Sequence, residues 1–166
     1  MKTWIGTIML IAGVVSFKAK ACECGVEAIV GNAIKAADVV FVGKVLSKDL
    51  FLYVDSSFYP RYPNSLSAGR SSLSRYKILI KNIYKGGTVG DTLTIYTGNG
   101  GGDCGWPFKE GKTYIIYGIE TPSVKKGENP LPHGKNIFWT SICQRTRAFN
   151  KSEIVEIEKI TLNKRR

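Results

Sequence analysis

The chain holds one histidine, two methionines and four cysteines in 166 residues. Side chains that commonly carry nucleophilic, general-base or metal chemistry are therefore scarce. No HExxH, GxSxG or paired-carboxylate motif occurs, and the only histidine, His133, lies in Leu131-Pro132-His133-Gly134, where a turn residue is expected rather than a general base. Asp91, Asp103 and Glu110 sit near turns, where acidic side chains serve local hydrogen bonding. The glycine-rich run Gly98–Asp103 lacks the Gly-Lys-Ser/Thr ending and following helix of a phosphate loop. Paired CxxC knuckles are missing, which disfavours structural zinc. No enzyme and no cofactor are expected. After the first twenty residues no long apolar run recurs, so a permanent transmembrane anchor is not expected either.

What is present begins at the N-terminus. Met1-Lys2 opens an apolar run from Trp4 to Phe17, and Ala19-Lys20-Ala21 precedes Cys22. This order predicts a secretory signal over residues 1–21, cleaved between Ala21 and Cys22, and one exported domain over 22–166. Lys20 fits poorly in a lipoprotein box, so a lipid anchor is not expected. A secreted or periplasmic location follows. Losing Lys2, Lys18 and Lys20 lowers the formal net charge from +11 to +8. The remaining cations are scattered, with Lys164-Arg165-Arg166 as a basic tail, and read mainly as solvated faces. Tyr76, Lys77, Lys81, Tyr84 and Lys85 could offer single-stranded nucleic acid a stacking surface, but export argues against that role.

The cysteines all follow the signal: Cys22, Cys24, Cys104 and Cys143. In an exported chain they read as two disulfides, with three pairings open. Cys22 and Cys24 are too close to bond comfortably with each other, so each is expected to staple the N-terminal segment to a distant loop.

Periodicity predicts a helix over 27–36, with Val26, Ile29, Val30 and Ala33 or Ile34 towards the core. Strands are predicted at Val39–Leu46, from Arg75 through a phase change at Ile83-Tyr84, at Thr92–Thr97, at Lys112–Ile119 and at Ile137–Ile142. The phase change suggests a bulge. Residues 47–74 read as a long exposed excursion carrying Phe51, Tyr53, Phe58, Tyr59 and Tyr62, with part of a hairpin at Leu50–Val54. Asn150 and Glu153 predict a capping box before the stripe Ile154, Ile157 and Ile160. About five short strands with a helix at each end favour a mainly β, closed or nearly closed barrel over a βαβ sheet.

The spaced set Cys22-Glu23-Cys24, Ala37-Asp38-Val39-Val40-Phe41-Val42-Gly43-Lys44-Val45, Tyr76-Lys77-Ile78, Ile83-Tyr84-Lys85-Gly86, Cys104-Gly105 and Ile142-Cys143 resembles the N-terminal domain of tissue inhibitors of metalloproteinases, within the netrin-like group. The resemblance covers nearly all of 22–149 and suggests a single-domain relative of the kind expected in bacteria. It implies a five-stranded OB-fold-like barrel with its N-terminus stapled by Cys22–Cys104 and Cys24–Cys143. It also implies a metalloprotease inhibitor with no intrinsic metal, in which the freed Cys22 amine and carbonyl chelate the zinc of a target protease. Glu23 would enter the substrate side-chain pocket, Cys24 and Gly25 would follow the cleft, and Asp103, Cys104 and Gly105 would support that edge. The family usually has Ser or Thr where Glu23 stands, so weakened inhibition, or a target pocket with a basic group, is implied. The alternative is a non-inhibitory netrin-like module, expected as a monomer, that binds an extracellular or periplasmic protein through its basic and aromatic surface.

Overall fold

The computed structural model describes residues 22, 24–25, 28–54, 70–88, 90–100, 102–120, 132 and 134–163. The signal segment, Glu23, Val26, the tip of the 47–74 excursion, His133 and the basic tail lie outside the described residues.

The order along the chain is α1 (Val30–Ala36), β1 (Val39–Val54), β2 (Arg70–Lys85), β3 (Thr92–Thr97), β4 (Thr113–Gly118), β5 (Ile137–Trp139), β6 (Arg147–Ala148) and α2 (Lys151–Asn163). The six strands form one sheet in the order β5-β3-β2-β1-β4-β6. All neighbours are antiparallel except β3 and β5.

The sheet curls through 196° into an open half-barrel with its edges 14 Å apart. Paired strands sit about 4.8 Å apart, so no ladder bridges that gap. The expected closed five-stranded OB-fold barrel is therefore wrong. The tissue-inhibitor and netrin-like assignments, and the metalloprotease-inhibitor reading built on them, do not match this topology. The outer strands are too short to close the sheet: β5 has 3 residues and β6 has 2. The strand predicted over 137–142 stops at Trp139, and Ile142 lies in a turn.

Alternation along the strands builds two cores. Val39, Phe41, Val45, Tyr76, Ile78, Leu93, Ile95, Tyr114, Ile116 and Phe138 fill the inside of the curl together with Phe108. On the outer face, Val40, Val42, Ile115 and Tyr117 pack beneath Val30, Ala33 and Ile34 of α1 and Ile157 of α2. The α2 stripe thus lies on the sheet through Ile154, Ile157 and Ile160. The helix expected from residue 27 begins at Val30, so Ile29, expected towards the core, stands at its N-cap and is 67 % exposed. Lys85 is recruited to the end of that helix, where its ammonium donates to the carbonyls of Ile34, Lys35 and Ala37.

Three register shifts bend the β1–β2 pair. One leaves Tyr84 between the pairs Val40–Lys85 and Phe41–Ile83, at the phase change visible in the sequence. Another falls at Gly43, where an added Cβ would lie 2.4 Å from Ile78 Cγ2, so only glycine admits that approach. The third skips Leu46 and turns the following residues over, as one inserted residue must. Much of the predicted excursion is in fact strand: residues 47–54 pair with 70–77.

Candidate functional site

Two regions carry groups suited to recognition: the stapled N-terminal edge and the uncovered half of the outer sheet face.

At the first, Cys22 is bonded to Cys104 and Cys24 to Cys143. These bonds bring Cys22, Cys24, Asp103 and Cys104 into one neighbourhood. Gly25 lines a cleft of ≈ 350 Å³ with Cys24, Trp106, Ile142, Cys143 and Arg145 among its walls. The described residues of the glycine-rich run gather around one carboxylate. Asp103 accepts hydrogen bonds from the amides of Asn99 (2.6 Å), Gly100 (2.8 Å) and Gly105 (3.2 Å). Partial burial opposes its ionisation, but the amides outweigh that and hold the carboxyl below its usual range. Gly105 is required for contact: an added Cβ would sit 2.0 Å from the Gly98 carbonyl oxygen. Asn99 docks the turn on β2, donating to the Ser72 carbonyl at 2.9 Å and accepting from Ser74 Oγ at 2.8 Å. Asp103 is thus engaged in holding its own loop. Among the described residues no cluster of His, Cys, Asp and Glu could hold a metal ion.

The second region follows from the Leu46 register shift. Beyond it Ser47, Asp49, Phe51 and Tyr53 share the outer face, in line with Arg75 and Lys77 of β2 and Thr94 and Tyr96 of β3. No described helix covers this half. Phe51 stacks with Tyr53 at 6.3 Å and meets Tyr96 edge-on at 5.5 Å, and Tyr96 stacks with Trp139 at 5.5 Å. The result is an aromatic row running across β1, β3 and β5, in which Tyr96 is buried and Phe51, Tyr53 and Trp139 are half-buried. Beside it lies a groove of ≈ 540 Å³ lined by Ser47, Asp49, Arg75, Lys77 and Lys135 among others. The Arg75 guanidinium donates to both Asp49 oxygens, at 2.7 and 2.5 Å. That bidentate contact holds the Asp49 carboxyl below its ordinary value. With Asp49 engaged, Lys77 and Lys135 give the groove its positive character.

The stacking surface weighed and set aside for single-stranded nucleic acid is not assembled in the fold. Tyr76 is 2 % exposed and belongs to the inner core, and Lys85 is held at the end of α1. Lys48, not singled out before, lies over the Tyr76 ring at 5.7 Å. Sequence reasoning missed Tyr96, Trp139, Arg75 and Lys135 as neighbours of Phe51 and Tyr53. The available signal was the i, i+2 spacing of Phe51 and Tyr53, a strand period inside a stretch otherwise rich in Pro and Ser.

A buried ionic cluster supports the helix-covered half. Glu153, 4 % exposed, pairs with Arg145 at 3.1 Å and Arg147 at 3.0 Å and accepts from the Tyr117 hydroxyl at 2.8 Å. Burial and then the bond to Glu153 push the Tyr117 hydroxyl well above its ordinary pKa. The expected capping box is therefore incomplete: Asn150 caps α2 by accepting from the Ser152 amide at 2.9 Å, whereas Glu153 turns inward.

The molecule is thus a disulfide-bonded half-barrel domain with an aromatic and basic surface. No protein-family model matches the chain, and no curated protein matches it significantly. Among the described residues no helix is long and apolar enough to cross a membrane.

Proposed function

We propose that this is an exported interaction module that acts by binding rather than catalysis, with its signal cut between Ala21 and Cys22. Its partner is a protein segment carrying acidic and aromatic or apolar residues. The aromatic row on the uncovered outer face is the observation that carries this reading. Aromatic and arginine side chains supply much of the binding energy at protein interfaces while losing little conformational freedom. Here four rings contact one another beside a groove with two lysines. Complementary charge then steers an acidic segment towards the row.

Peptide display against the oxidised protein tests the proposal. Selected peptides should be enriched in Asp and Glu beside an aromatic or aliphatic residue. Lys77→Glu combined with Lys135→Glu should weaken their binding at least about tenfold, and Tyr53→Ala should weaken it independently of salt. Peptides without acidic bias, or undiminished binding by the charge-reversed protein, would sink the proposal. The intact mass of the exported product, beginning at Cys22, checks the processing step.

A further inference from the structure

β1 is much longer than the strand that covers its far edge. It runs for 16 residues, yet its ladder with β4 spans only Val39–Lys44. Val45 still exchanges bonds with Gly111 and Lys112, and the Lys48 amide donates to Glu110 Oε1 at 3.0 Å. Beyond Lys48 no described group meets that edge. Because Lys48 directs its amide outward, strand alternation directs those of Leu50 and Leu52 outward as well. These two leucines are also unusually bare, 58 % and 76 % exposed.

An open, apolar strand edge is ordinarily protected by shortness, charge, proline or a bulge. The outermost strands follow that rule, since β5 and β6 have only 3 and 2 residues. The 49–54 edge does not. Its one charged side chain, Asp49, is already held by Arg75 on the β2 side.

We infer that this edge pairs antiparallel with the same edge of a second copy of the chain, on a two-fold axis at Phe51. In that register Leu50 faces Leu52 of the second copy, and both residues have outward amides and carbonyls. This is the condition for a hydrogen-bonded antiparallel pair. The four leucines then share one face and cover one another. Asp49 falls opposite Tyr53 and Lys48 opposite Val54, so no like charges oppose. An identical patch that meets itself closes after two subunits. The two sheets become continuous, and their aromatic rows lie on the same side. The pairing does not depend on the proposed partner of those rows.

Sedimentation equilibrium of the oxidised protein over a concentration series should show a monomer–dimer equilibrium. Leu50→Glu with Leu52→Glu should raise the dimer dissociation constant at least tenfold without changing the thermal midpoint measured at concentrations where both proteins are monomeric. The register is tested by cysteine cross-linking. Two Phe51→Cys residues face each other at the axis, about 4.5 Å apart between Cα atoms, within disulfide reach. Two Tyr53→Cys residues are offset by four positions, about 13 Å. Phe51→Cys should therefore form a covalent dimer and Tyr53→Cys should not. A protein monomeric at every concentration, a dimer indifferent to the glutamates, or equal cross-linking at both sites overturns the inference.

Discussion

The two halves of the outer sheet face share strands but not fates. Over Val40, Val42, Ile115 and Tyr117 lie two helices, and beneath α2 the carboxylate of Glu153 is buried with two arginines and a phenol. A few residues further along β1, Phe51 and Tyr53 stand on the same face with no described helix above them. The switch comes from Leu46, whose insertion restores outward-facing parity just where the helices end. One half spends its side chains on stability, and the other keeps half-buried rings beside exposed cations. Substitutions should therefore separate folding from recognition.

The largest effect is expected in the covered half. Glu153→Ala leaves Arg145 and Arg147 without their carboxylate and Tyr117 without its acceptor, and should cost about 3–5 kcal/mol of stability. Urea unfolding measures it. A loss below about 1 kcal/mol would show that the cluster is well hydrated and would erase the contrast.

The Asp103 loop, which belongs to neither half, should give an intermediate result. Asp103→Asn replaces an oxygen with an amide donor facing backbone donors and should cost roughly 1 kcal/mol at pH 7, reduced by solvent access. Its folded-state pKa is lowered, so the stabilisation is complete above the ordinary carboxyl value of about 3.9 and fades as pH falls through the folded value. Melting curves of wild type and variant should differ at pH 7 and converge towards pH 2. A gap that widens in acid would contradict that sign.

The smallest stability effect belongs to the uncovered half. Asp49→Ala breaks a pair whose side chains are 42 % and 53 % exposed, and should change stability by no more than about 0.5 kcal/mol. The same variant releases Arg75 from Asp49, leaving its hydrogen bond with Tyr96, and makes the groove more positive, so acidic peptides should bind more tightly at low salt. Unchanged affinity would remove Arg75 from the recognition surface.

Local pattern made part of this architecture legible. Leu93 and Ile95 alternate cleanly, and Thr92–Thr97 is a strand. The isoleucine stripe of α2 and the slip at Tyr84 also follow from spacing along the chain. Other features depend on partners far away in sequence. Ser47-Lys48-Asp49 looks like the start of a loop, yet it continues β1 because β2 lies alongside and Arg75 meets Asp49. Glu153 sits three places after Asn150, as a capping residue would, but two arginines and a tyrosine compete for it more strongly. Barrel closure was misread because it depends on edge-strand length, and β6 is too short to leave a periodic signal. The aromatic row was visible only as Phe51 and Tyr53. Tyr96 and Trp139 join them through cross-strand register, which no single segment encodes.

The disulfides have a consequence for the broken chain as well as the whole one. Their sequence separations of 82 and 119 residues overlap, and both begin within the first three residues after Ala21. A single peptide cut between Cys24 and Cys143 leaves pieces still joined through sulfur. A protease that clips one exposed loop opens the backbone without dividing the molecule. The nicked protein should keep its mass plus one water, run as one species without reductant, and separate into fragments only when the staples are reduced.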